Sequence, residues 1–132
     1  MSSDKIGTGP NFSAPPVAAA PGTAEAAPLT DMRELFQLAF QRKASDIHLT
    51  EHTAPLLRIN GSLEPTTLSP LSRADTKQLV YSLLTDRQKA QFEQELELDI
   101  SFEVQGVGRF RVNVHMQRGS VEAAFRLVPS RI

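Results

Sequence analysis

The strongest constraint on the fold lies between Leu98 and Met116. Leu98, Ile100, Phe102 and Val104 alternate with Asp99, Ser101 and Glu103; after Gly106-Val107-Gly108, Phe110, Val112, Val114 and Met116 alternate with Arg109, Arg111, Asn113 and His115. A period of two over two runs joined by a glycine-rich turn specifies an antiparallel hairpin with one dry face and one charged face. A one-residue slip would turn the apolar set to water, so the spacing favours a three-residue loop over a two-residue one. A loop on Gly106, Val107 and Gly108 predicts Glu103 opposite Arg111 and Asp99 opposite His115. In that register Arg111 has an ionic neighbour, whereas Arg126 has none in the hairpin.

The remaining elements fit around this hairpin. Gly119-Ser120 turns the chain, and Val121 to Val128 forms a last strand with Val121, Ala123, Phe125 and Leu127 on one face and Arg126 on the other. Upstream, Thr30 can cap a helix whose stripe is Met32, Leu35, Phe36, Ala39 and Phe40. Asp46 to Thr50 alternates as a short strand, and Leu56 to Ile59 is another. Asn60-Gly61 then signals a tight hairpin returning at Leu63. Ser72 with Asp75 opens a second helix carrying Leu79, Val80, Leu83 and Leu84, and Thr85 or Asp86 opens a third through Gln94. The expected fold class is α+β, an antiparallel sheet of five or six strands with helices mainly on one face.

Residues 1–29 read differently. Five prolines and seven alanines with three charged residues show no helical or strand period, which predicts a disordered Pro/Ala-rich arm. The 132 residues then hold one domain, 30–128, whose last strand Pro129 ends. With no cysteine, neither a disulfide framework nor a thiolate metal site is possible. His48, His52 and His115 have no metal-ligand spacing, no glycine opens a phosphate-cradling loop, and no run approaches the roughly 18 apolar residues of a membrane span.

Charge is unevenly spread although the net is only −1. Residues 86–104 set two basic residues against six acidic ones, whereas 105–132 set five arginines against Glu122 alone. Four of those arginines, Arg109, Arg111, Arg118 and Arg126, lie within eighteen residues. Forked guanidinium donors on rigid strands suit phosphate oxygens, so this stretch is either a solvated sheet face or an anion-binding surface. Phe110 and Phe125 fall on the apolar faces, which leaves no stacking platform for nucleic acid.

Four runs carry a family resemblance: ASDIHL at 44–49, RINGSLE at 58–64, LDISFEVQGVGRFRVNVHMQRG at 98–119 and FRLVPSRI at 125–132. Together they resemble the N-terminal domain of type IV pilus retraction (PilT, twitching-motility) ATPases within the secretion ATPases. The resemblance implies a PAS-like domain, a linker that begins at 129–132, and a RecA-like ATPase domain that would follow Ile132, announced by a P-loop some 20–30 residues on. It implies ATP and Mg2+ as cofactors of a full-length homo-hexamer, with no catalytic residue, metal or tightly held cofactor in this stretch, which alone would be inactive. Arg111 and Arg126 match the family's phosphate-sensing arginines best, Arg109 follows, and Arg118 aligns less surely. With Glu103 beside Arg111, Arg126 is the expected direct phosphate contact. The implied partners are the ATPase domains of its own and the neighbouring subunit and an inner-membrane pilus platform protein, with no nucleic acid. The implied location is cytoplasmic, at the pilus base. Two alternatives stay open: the corresponding domain of a pilus-assembly or type II secretion ATPase, and a PAS-like ligand- or partner-binding module.

Overall fold

The computed structural model describes Leu29 and residues 31–128. Of the expected arm only Leu29 is described, and it is buried in the core; residues 1–28, the Thr30 cap and the linker at 129–132 lie outside the described residues. Nine elements follow in order: α1 (Met32–Gln41), β1 (Asp46–Leu49), β2 (Leu56–Ile59), β3 (Ser62–Pro65), α2 (Arg73–Tyr81), α3 (Asp86–Glu95), β4 (Glu97–Val104), β5 (Gly108–Gln117) and β6 (Ser120–Val128). The strands form one six-stranded sheet in the order β3-β2-β1-β6-β5-β4, with every pair antiparallel. This is the α+β sheet that the alternation predicts.

The core lies between one face of the sheet and the helices. Phe36 of α1 is fully buried, its ring centroid 4.8 Å from Phe110, 5.8 Å from Phe125 and 5.9 Å from Phe102. One helical side chain thus grips β4, β5 and β6 together through tilted and edge-on ring contacts. Ile47, Leu57, Val112 and Val114 extend the same dry layer. Asp31 is the N-cap of α1, its carboxylate accepting the Arg33 N–H at 2.9 Å. Phe40, expected in the stripe, is 46% exposed because it lies at the edge of the buried face. The second helix starts on the reciprocal cap read from the sequence, Ser72 with Asp75, and of the two starts open for the third the structure takes Thr85, whose cap is reciprocated by Gln88. They are tied together where the Tyr81 hydroxyl donates to Glu93 at 2.8 Å and the Tyr81 ring meets Phe92 edge-on.

Two turns differ from expectation. The loop between β4 and β5 is Gln105-Gly106-Val107, closed by Val107 N–H donating to the Val104 carbonyl at 3.0 Å. Gly108 is therefore in the ladder opposite Val104, and the register moves by two residues: Glu103 faces Arg109, Ser101 faces Arg111 and Asp99 faces Asn113. An even shift leaves every side chain on its original face, so the hydrophobic pattern could not distinguish the two registers. A side chain at Gly108 would approach Leu127 Cδ1 to 3.1 Å, at a φ of +143 that disfavours any other residue. The β5–β6 turn is Arg118-Gly119, both left-handed, and Ser120 belongs to the strand. At the sheet's far end β4 is an edge strand of eight residues, with Glu97, Asp99 and Glu103 exposed on the helix-free face.

Two core substitutions test this packing. Phe36→Ala should cost about 3–5 kcal/mol in chemical denaturation, because three strands lose a common contact. Ser120 Oγ is buried without a hydrogen-bond partner among the described residues, so Ser120→Ala should be neutral or stabilising by up to about 1 kcal/mol in the same measurement.

Candidate anion-binding face

The helix-free face of the sheet is organised by cross-strand registers. Arg58 is opposite Asp46, Asp46 opposite Arg126, Arg126 opposite Arg111 and Arg111 opposite Ser101. Three arginines and one aspartate therefore form a single row across four strands, which Ser101 continues onto β4. Alternate residues of each strand supply them, which is why positions far apart in sequence share one line. Neighbouring strands lie about 4.8 Å apart, so Arg58 and Arg111 are separated by roughly 14 Å of sheet.

Asp46 is the pivot. Its side chain is only 13% exposed and sits between Arg126 Nε at 3.5 Å and Arg58 Nε at 3.9 Å. The Ser45 hydroxyl donates to it at 2.6 Å. Arg58 also donates from Nη1 to the Gly61 carbonyl at 3.0 Å, tying it to the Asn60-Gly61 hairpin turn. Arg126 is 72% exposed and is held by its Nε edge. Arg111 has no hydrogen bond or ion pair among the described residues. The expected assignment is thus reversed: Arg126 has an ionic neighbour in Asp46, and Arg111, freed from Glu103 by the register, has none. Arg111 and Arg126 stand directly opposite each other as like charges, an arrangement that costs energy unless an anion or solvent screens it.

Below this row lies a shallow groove of about 380 Å³, bordered by Arg58, Arg111 and Arg126 and floored at Ala124 between His48 and Asn113. Alanine at that point leaves the depression open. The Asn113 amide donates to Asp99 at 2.9 Å, and its carbonyl oxygen lies 3.2 Å from His115 Nδ1. His115 Nε2 is 3.4 Å from Glu122. His48 has no side-chain hydrogen bond among the described residues; burial pushes its pKa down from the ordinary value of 6.5, against the pull of Asp46 and with a further push from Arg58.

The four arginines named by resemblance are not brought together. Arg111 and Arg126 adjoin on the groove. Arg109 lies one pair further along β5, opposite Glu103 and Val128, with Nη1 3.4 Å from the Ser101 hydroxyl. Arg118 is in the turn at the other end of β5, seven residues and roughly 23 Å from Arg111. Arg58 and Asp46 were missed as site residues. Only the pairing of β1 with both β2 and β6 brings them beside Arg126, and no local pattern encodes that pairing. No group of three or more histidine or acidic side chains that could hold a metal occurs among the described residues, and none of their helices is long and apolar enough to cross a membrane.

Comparison with solved structures gives the class of the fold. The chain is similar to the pilus retraction motor PilT with bound ADP, with a TM-score of 0.67 and 40% identity over 75% of this chain and 29% of that one. The Legionella pneumophila ATPase DotB shares the fold at a TM-score of 0.65 and 21% identity, covering 84% and 31% of the two chains. The fold is one that ATPases carry as part of a longer chain. Among curated sequences, the type IV pilus retraction ATPase PilT of Pseudomonas aeruginosa is 39% identical over 102 residues, which is 77% of this chain and 30% of that protein. A twitching motility protein of Neisseria gonorrhoeae is 35% identical over 78 residues, 59% of this chain and 21% of its own length. No family model matches the chain. The chain belongs to the type IV pilus retraction ATPase (PilT) family and carries its N-terminal domain. It spans about 30% of the length of the P. aeruginosa relative it matches.

The depressed His48 pKa fixes the sign of a pH effect. The unfolded chain takes up a proton near pH 6.5 while the folded chain resists it, so stability is full above that pH and declines as pH falls through and below it. Thermal melts between pH 7.5 and 5.0 should show a shallower decline for His48→Gln than for the parent.

Proposed function

We propose that this domain serves a hexameric type IV pilus retraction motor by presenting arginines to the phosphates of ATP bound against an adjoining RecA-like domain. The observation that carries the reading is the register-locked pair Arg111 and Arg126, two like charges side by side on a rigid sheet above an open groove. A polyphosphate between them relieves their repulsion and accepts paired guanidinium hydrogen bonds, each stronger than a neutral one. Membership of the retraction family supports nucleotide as the source of that anion, as does the bound ADP of the PilT structure.

The groove offers arginine donors for phosphate and two carboxylates that already have partners: Asp46 is engaged by Ser45, Arg58 and Arg126, and Asp99 accepts from Asn113. The metal's contribution, neutralising charge between the outer phosphates, belongs with the nucleotide and the ATPase domain. The part of this chain is electrostatic. Arg111 and Arg126 stabilise negative charge that grows on the outer phosphates, and loss of that charge on hydrolysis releases the sheet face. Release converts a change of a few ångströms at phosphate into a rotation of the domain. Arg109 lies further along the same face and can join once the domains close, whereas Arg118 at the opposite end of β5 is suited to a contact with a neighbouring subunit. Retraction at the inner-membrane pilus base, with a platform protein as partner, follows from the same reading.

The test is hydrolysis by the full-length motor. Arg111→Ala and Arg126→Ala should each lower ATP turnover by roughly 100-fold or more, with this domain's melting temperature little changed. Parent-level turnover in both variants would sink the proposal. The 132-residue chain alone should hydrolyse no ATP.

A further inference from the structure

The sequence names Arg109 and Arg118 as the companions of Arg111 and Arg126, but the groove is bordered by a different third arginine. Arg58 lines the same depression, whereas Arg109 and Arg118 do not. We infer that Arg58 is the third cation of the polyphosphate site, and that Asp46 positions it together with Arg126. The inference rests on the groove being a polyphosphate site, and it identifies which side chains complete that site.

Three features support it. The first is register: Arg58, Asp46, Arg126 and Arg111 occupy consecutive positions of one cross-strand row, so their backbones are fixed relative to one another by two-sided ladders. The second is how the guanidinium groups are held. Asp46 meets both Arg58 and Arg126 at Nε, and Gly61 takes only Nη1 of Arg58. Among the described residues, neither the Nη2 group of Arg58 nor either terminal nitrogen of Arg126 makes a hydrogen bond, so they remain available to a ligand. A carboxylate ion-paired with both guanidinium groups at 3.5 and 3.9 Å draws them electrostatically toward one place before the ligand arrives, which lowers the ordering cost of binding. The third is charge. Three arginines against two aspartates, Asp46 and Asp99, leave the groove lining cationic, and the Arg58 side chain is 37% exposed, so part of it reaches solvent.

A span of roughly 14 Å between the outer arginines suits a chain of phosphates better than a single one. The two ends of the row would then contact different phosphate groups. Arg58 and Arg126 share the Asp46 end, and Arg111 takes the other.

The probe is inorganic tripolyphosphate, titrated at low ionic strength into the 132-residue chain and followed by NMR at the arginine Nε–Hε resonances. Low salt is needed because screening weakens such contacts. The parent should bind saturably. Arg58→Gln should raise Kd roughly tenfold, the scale of one charge-assisted contact, while Arg42→Gln should change it less than twofold. Arg42 is the matched control, since it removes the same charge from the helix side, where it pairs with Glu64 at 3.6 Å. Arg58→Lys, which keeps the charge and loses the fork, should fall between parent and Arg58→Gln. It also guards against loss of the Gly61 contact as the cause, with the Asn60 and Gly61 amide resonances reporting the turn. Equal weakening by Arg58→Gln and Arg42→Gln would overturn the assignment, because net charge alone would then explain it. Parent-like binding by Arg58→Gln, with binding lost in Arg111→Gln and Arg126→Gln, would overturn it while leaving the proposed function standing. Parent-like binding by Arg111→Gln and Arg126→Gln, or no saturable binding by the parent, would remove the polyphosphate site itself.

Discussion

The structure depends on one buried ring. Phe36 reaches from α1 onto Phe102, Phe110 and Phe125, and so fixes the helix over the three longest strands at once. Because interiors are close-packed and respond to small changes in volume, that contact makes the helix and the β4-β5-β6 meander one body. The opposite face needs no packing of its own. With the dry side secured by α1 and the neighbouring helices, the wet side can carry like charges side by side. The site is therefore a surface feature whose precision comes from the layer beneath it.

Much of this was legible in the sequence, for a simple physical reason. Alternation over Leu98 to Met116 fixes which face each residue takes, and the caps at Ser72 and Thr85 mark two helix starts through local hydrogen bonding. What the pattern could not supply was register. Moving the β4–β5 loop by two residues keeps Phe102 and Phe110 inward and Arg109 and Arg111 outward, yet exchanges Glu103 from one arginine to the other. The partner of each arginine is an absolute-register property, whereas its face is only a parity property. That distinction explains why Arg111 and Arg126 were correctly placed on one side while their ionic neighbours were reversed.

Arg58 and Asp46 illustrate a second limit. Each sits in a short strand of four residues. Nothing within either segment says that β1 will pair with β6, some 80 residues later, as well as with β2. Such pairing is decided by the assembly of the whole sheet, with the Leu127 N–H donating to the Ser45 carbonyl at 2.9 Å where the β1–β6 ladder begins. Resemblance could flag the runs that contain these residues, but only the sheet turns them into neighbours of Arg126.

The edge strand β4 has a consequence of a different kind. Among the described residues its outer backbone groups have no partner strand, and eight residues is long enough to template pairing with another chain. Glu97, Asp99 and Glu103 fall on one face of that edge. Two copies meeting edge to edge would bring these carboxylates into register-wide repulsion before the backbone bonds could form. The same alternation that gives the domain its dry face thus also keeps its open edge from extending into a continuous intermolecular sheet.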